Sequence, residues 1–128
     1  GKVRWDEPVV TYLPWFRVGD PYATREITVR DLLTHRAGLG NADLLWADGQ
    51  YTAAEIVRRI ATLPPAYSLR SRFVYQNVMY AVAGEVIAAA SGMPWDAFVR
   101  ARILQPLGMT ATEPLLAGLA GQPNVATP

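Results

Sequence analysis

Apolar residues recur at helical spacing in several stretches of the chain, while strand-like alternation is scarce. Asp6-Glu7-Pro8 opens a short helical turn over Pro8 to Leu13, which Pro14 ends, and Gly19-Asp20-Pro21 reads as a turn. Thr28-Val29-Arg30-Asp31 has the form of a capping box, with Val29, Leu32 and Leu33 as its apolar stripe and Gly38 placed to stop the chain in a left-handed conformation. Asn41 to Tyr51 is loop-like, with an apolar knot at Leu44-Leu45-Trp46. A second box, Thr52-Ala53-Ala54-Glu55, opens a helix that reaches about Thr62 and buries Ile56, Ile60 and Leu63 before Pro64-Pro65. After an irregular polar stretch, the spacing predicts a long helix from Asn77 to Ser91, stopped by Gly92. Ala81, Gly84 and Ala88 leave it a narrow face that another helix can approach. A last helix runs from Pro94 to about Leu104, with Trp95, Phe98, Val99 and Ile103 at core spacing. The chain thus reads as mainly α, with a helical region over residues 1–112 and an extended or frayed tail over 113–128.

Composition narrows the chemistry. Hydrophobic residues make up 51% of the chain and the formal net charge is +1, which suits a globular domain and argues against a dedicated nucleic-acid binder. No run of about 18 apolar residues is present, so no membrane-spanning helix is expected. With no cysteine and one histidine, His35, neither a thiolate nucleophile nor a Cys- or His-built metal site is expected, and no cofactor is implied. Lys2 is the one lysine against eleven arginines, so a catalytic lysine has few places to be.

Tyr75-Gln76-Asn77 is the most informative tripeptide. It follows Phe73-Val74 and opens the longest helix, so both polar side chains sit on a rigid turn. A tyrosine there can relay a proton if a neighbouring cation lowers its pKa, and the asparagine can donate to a substrate carbonyl. The structural alternative is a half-buried tyrosine beside an asparagine helix cap.

The order of features resembles the serine β-lactamase, penicillin-binding protein and family VIII esterase group, in particular its class C-like branch. The matching pieces are Gly1-Lys2-Val3-Arg4-Trp5-Asp6-Glu7-Pro8-Val9, Tyr12-Leu13-Pro14, and Ile27 through Leu39 with its Leu32-Leu33-Thr34-His35-Arg36-Ala37-Gly38-Leu39 segment. Tyr75-Gln76-Asn77, Tyr80-Ala81-Val82-Ala83-Gly84 and Pro106-Leu107-Gly108-Met109-Thr110 complete the set. The resemblance implies the helical subdomain of the β-lactamase/transpeptidase-like fold, without most of its α/β sheet domain. It implies an acyl-enzyme mechanism on β-lactams, D-amino-acid peptides or esters, with Tyr75 as acid/base residue and Asn77 orienting the substrate. His35 and Gly38 become a structural motif, and Trp46 a residue bordering the mouth of the site.

Two motifs of that group are missing from these residues: no serine stands three positions before a lysine, and neither Lys-Thr-Gly nor His-x-Gly occurs. The chain therefore reads as a piece lying between two of three motifs, taking a small-molecule β-lactam or ester substrate only if complemented. Ser68, Ser71 and Ser91 read as turn or cap residues. Arg72, with Arg70, flanks the approach to Tyr75 and either attracts an acidic substrate or lies on a solvated loop. Two other readings remain: a non-catalytic helical module that forms homo-oligomers through an uncovered apolar face, and a small hydrolase with a rearranged site of His35, Tyr75 and a serine. The compartment is not readable from these residues, although proteins of the group are often periplasmic or secreted.

Overall fold

Capping chemistry sets the short elements of the first half. In the computed structural model, which describes residues 1–46, 49–122 and 125, α1 (Val9–Tyr12) follows Pro8 and α2 (Pro21–Glu26) follows Asp20. The Asp20 carboxylate accepts from the Tyr22 N–H at 2.8 Å and Pro21 fills the first helical position, so the cluster expected to be only a turn is a helix start. α3 (Val29–Leu33) carries the expected capping box, Thr28 taking the Asp31 N–H and Asp31 taking the Thr28 N–H. α4 (Ala53–Arg59) repeats it with Thr52 and Glu55 and tightens into a 3₁₀ turn, Ile60–Thr62.

The long helix α5 (Asn77–Ser91) is the axis of the fold. Gly92 ends it at φ 76°, in the left-handed region that glycine enters without steric cost. Its buried face, Val78, Met79, Val82 and Val86, meets α1, α3 and α4, and the core closes with Val9, Phe16, Ile27, Leu32, Ile56, Val57 and Ile60. Burial of each such side chain is worth about 1.5–3 kcal/mol, so this cluster supplies most of the cohesion. Extended pairing among the described residues is confined to two isolated bridges, Pro8 with Thr28 and Leu39 with Pro65, which agrees with a mainly helical chain.

The last helix, α6 (Trp95–Val99), continues as a π-helical turn over Arg100–Leu104. It lies against α5 where the small residues allow it, with the Trp95 side chain over Gly84. None of the four residues expected in the core is fully buried: Phe98 and Val99 are half-buried, Trp95 is 40% exposed and Ile103 46%. Helical spacing places them on one face, but little of the chain covers that face, and of this helix and turn only Leu104 is buried. Beyond it, the Arg100 guanidinium pairs with Glu113 at 2.7 Å and Leu116–Leu119 forms a 3₁₀ turn. Parts of the expected 41–51 loop (47 and 48) and of the expected tail (123, 124 and 126–128) lie outside the described residues.

Candidate active site

The Tyr75 turn is built on a second stretch of chain that runs beside it, residues 35–40. Past α3 the backbone enters the left-handed region at His35 (φ 57°), a conformation histidine adopts more readily than most residues. That places both the carbonyl and the ring of His35 against the segment leading into α5. The His35 carbonyl accepts from the Val74 N–H at 3.0 Å, and Nδ1 accepts from the Gln76 N–H at 3.1 Å. Since the Gln76 N–H is the donor, the ring proton of neutral His35 is on Nε2. Phe73, Tyr75 and Tyr80 surround the imidazole with ring centroids 5.3, 4.8 and 5.3 Å away. The Tyr80 hydroxyl in turn donates to the Leu33 carbonyl at 3.1 Å, tying α5 to the end of α3.

Gly38 extends this scaffold. Its carbonyl accepts from the Ala66 and Tyr67 N–H groups, each at 3.1 Å. Its φ is 80°, and a Cβ there would stand 2.5 Å from the Tyr67 carbonyl oxygen, so only glycine lets the two backbones come this close. Between His35 and Gly38, the Arg36 carbonyl accepts from the Arg70 N–H at 2.9 Å, while the Arg36 guanidinium donates to the Arg70 carbonyl.

Arg70 departs from both readings made for it, a solvated loop cation or a lure for acidic substrate. Its guanidinium grips the buried Asp31 carboxylate with Nε at 3.1 Å and Nη2 at 2.8 Å, and donates to the Glu26 carbonyl at 2.8 Å. Burial pushes the Asp31 carboxyl upward, but the Arg70 and Thr28 hydrogen bonds outweigh it and hold the pKa below the ordinary carboxylate value. Arg70 also sits at φ 64°, a left-handed conformation held in place by these bonds.

On this base stand Tyr75 and Asn77. Tyr75 is 56% exposed, and its hydroxyl donates to Asn77 Oδ1 at 3.1 Å. Asn77 is the first residue of α5, and its Nδ2 donates to Asp43 Oδ1 at 3.3 Å. Asp43 begins a 3₁₀ turn, Asp43–Leu45, and also accepts from Asn41 and from the Trp46 side chain. Desolvation raises the Asp43 pKa, yet the bonds from Asn41, Asn77 and Trp46 prevail and leave it below the ordinary value.

Tyr75, Asn77 and His35 are therefore brought together, and Trp46 joins them through Asp43. Arg72 is not joined to them: its guanidinium lies 4.3 Å from the Tyr67 ring centroid, and Tyr67 is its partner. The serines serve local turns, with Ser71 Oγ donating to the Ser68 carbonyl and Ser91 Oγ to the Met93 carbonyl. Among the described residues no group of three or more His, Asp or Glu side chains is placed to hold a metal ion. Asp43 and the Asp31–Arg70 pair were not singled out from the sequence as site residues. For Asp31 the capping box was a partial signal, since its carboxylate sits at the third helical position; for Asp43 there was none.

Comparisons with known proteins bear on the family and the fold. The chain is 33% identical over 115 residues to an unguisins hydrolase of Aspergillus violaceofuscus, covering 86% of this chain and 20% of the relative. It is 29% identical over 142 residues to a putative D-alanyl-D-alanine carboxypeptidase of Escherichia coli, covering 99% of this chain and 32% of that one. The chain thus spans about a fifth to a third of the length of these curated relatives. Its fold matches that of the octameric penicillin-binding protein homologue from Pyrococcus abyssi with a TM-score of 0.81 at 23% identity, over 98% of this chain and 30% of that chain. The Beta-lactamase family model matches residues 1–126, and the chain belongs to that family of serine hydrolases.

Proposed function

We propose that Tyr75 and Asn77 form the proton-handling and substrate-orienting part of a hydrolase site that works through an acyl-enzyme on β-lactams, D-amino-acid peptides or simple esters. The observation that carries this reading is the Tyr75–Asn77 hydrogen bond, exposed at the start of α5 and braced from behind by His35. In such a reaction a serine oxygen attacks the substrate carbonyl carbon and gives up its proton. In this reading Tyr75 relays that proton, its oxygen taking it up as its own hydroxyl proton passes to the leaving group, a role worth about 10²–10⁴-fold in rate. Asn77 Nδ2 carries a second N–H that can donate to a substrate carbonyl, while Trp46, on the turn that holds Asn77, borders the substrate. Arg72, stacked on Tyr67, adds charge to the approach and no direct contact.

The nucleophile is assigned to a segment outside these residues, because Ser68, Ser71 and Ser91 have no lysine three positions on and the Ser71 and Ser91 hydroxyls are engaged in turns. Intact-mass spectrometry after incubation with a penicillin and with an activated p-nitrophenyl ester tests both parts. The isolated chain should acquire no adduct. Residues 1–112 grafted into the Escherichia coli carboxypeptidase, in place of its matching segment, should acylate. Tyr75→Phe in that graft should slow acylation by at least about 100-fold. A serine adduct on the isolated chain, or a Tyr75→Phe graft as fast as its parent, would overturn the assignment. The other reading, a non-catalytic module that self-associates, draws on the exposed Ile103, Leu107, Leu115 and Leu116. Sedimentation showing a monomer at high concentration removes it.

A further inference from the structure

We propose that Asp43 is a positioning residue for the Tyr75–Asn77 pair, setting which way the Asn77 amide faces and so what the tyrosine hydroxyl meets. The inference rests on the functional reading above for its meaning in catalysis, although the positioning itself can be measured without it.

An asparagine amide has a donor end and an acceptor end of nearly the same shape, so its orientation is decided by its partners. The Asp43 carboxylate is an acceptor only, and Asn77 Nδ2 stands 3.3 Å from its Oδ1. With the donor end fixed there, Oδ1 is left facing the Tyr75 hydroxyl, 3.1 Å away, which it accepts from. Turned over, the amide would present its oxygen to a carboxylate and its N–H groups to the tyrosine oxygen. Asp43 therefore holds Tyr75 as a donor toward Asn77 and leaves the phenol oxygen's lone pairs for a partner on the open side.

The carboxylate is itself held in place from both directions. Asn41 Nδ2 donates to Asp43 Oδ2 at 3.2 Å while Asn41 Oδ1 accepts the Asp43 N–H at 2.9 Å, and the Trp46 side chain donates to the same carboxylate. The Asp43–Asn77 contact matters also because α5 has no cap of its own: Gln76, the residue before its first turn, makes no side-chain cap bond. Asp43 supplies from 34 residues away the negative group that a helix N-terminus favours, and the same contact seats the asparagine. All three side-chain partners of Asp43, namely Asn41, Trp46 and Asn77, are neutral, so the carboxylate keeps its charge for this role.

The test uses the full chain, labelled with ¹⁵N and ¹³C, with the Asn77 side-chain amide assigned by its loss in Asn77→Ala. Asp43→Asn should move both Asn77 side-chain proton signals and speed their exchange with water several-fold, because a neutral amide no longer forces one orientation. Asp43→Glu, which restores an anionic acceptor, should recover most of the slow exchange. In the wild-type chain, the Asn77 side-chain amide and the Asp43 carboxyl carbon should titrate along one curve with a shared midpoint. Unmoved Asn77 signals in a folded Asp43→Asn variant would overturn the inference. If that variant does not fold, separate titration curves in the wild-type chain would overturn it equally. A graft insensitive to Tyr75→Phe alongside the expected amide behaviour would remove the catalytic reading and leave the positioning intact.

Discussion

The loop that carries Tyr75 and the segment that begins at the Trp95 helix differ in how they are held. Residues 65–77 are bonded to residues 31–43 at nearly every turn: Gly38 to Ala66 and Tyr67, Arg36 and Asp31 to Arg70, His35 to Val74 and Gln76, Asp43 to Asn77. Residues 95–119 bury one side chain, Leu104, and their main tie within the segment is the Arg100–Glu113 pair, between side chains 42% and 20% exposed. Irregular backbone holds a fixed shape only when something outside it supplies partners for its N–H and C=O groups. In the first region the chain spends two left-handed non-glycine residues and an ion pair with a buried carboxylate on that task. In the second, regular helix satisfies its own backbone and needs less from its surroundings.

Replacement of Gly38 should widen that contrast most. In Gly38→Ala the new Cβ meets the Tyr67 carbonyl oxygen at 2.5 Å on a backbone at φ 80°, and the combined strain should cost about 3–4 kcal/mol. Thermal unfolding followed by circular dichroism measures it; a change under about 1 kcal/mol would mean that the two segments are not locked together. Arg70→Ala comes next. It leaves Asp31, at 4% exposure, as a buried carboxylate without its cation, and should lower stability by about 2–3 kcal/mol.

The same pair sets an acid limit. The folded pKa of Asp31 lies below its unfolded value, so its contribution is fully present above the unfolded carboxylate pKa of about 3.9 and is lost as pH falls through the folded value. The melting temperature should therefore drop on acidification below about pH 4, and Asp31→Asn should flatten that drop while starting from a lower plateau. An unchanged acid profile in Asp31→Asn would assign the effect to other carboxylates. The smallest effect belongs to the other region: Ile103→Ser, at a residue 46% exposed, should stay within about 0.5 kcal/mol of the parent chain in urea unfolding. A larger loss there would show that the face is covered in solution.

Local chemistry was legible in the residues where its partners are a few positions apart. The boxes at Thr28 and Thr52 and the stop at Gly92 stand where spacing placed them, and the mainly helical class followed from the same periodicity. The helix Pro21–Glu26 was also within reach, since an aspartate before a proline is a helix-start signal, but the preceding glycine drew the cluster toward a turn. Burial at Trp95 and Ile103 was not readable, because periodicity says which residues share a face and not what covers it. The partners of Arg70 and Asp43 lie 39 and 34 positions away, beyond any local pattern, and a loop arginine looks alike whether it is solvated or gripping a buried carboxylate.

Those sequence separations bear on how the molecule reaches its folded state. The Arg36–Arg70, Asp31–Arg70 and His35–Gln76 contacts that shape the Tyr75 turn join residues 34, 39 and 41 positions apart, and each closes a loop whose entropy is lost before the contact rewards it. The capped turns at Thr28 and Thr52, by contrast, close over three residues and can form at once. The proposed proton-handling turn should consequently be among the last parts of the chain to become ordered, after α3 and α5 have met, and a slow phase seen by a probe near Tyr75 should lag one seen at α4.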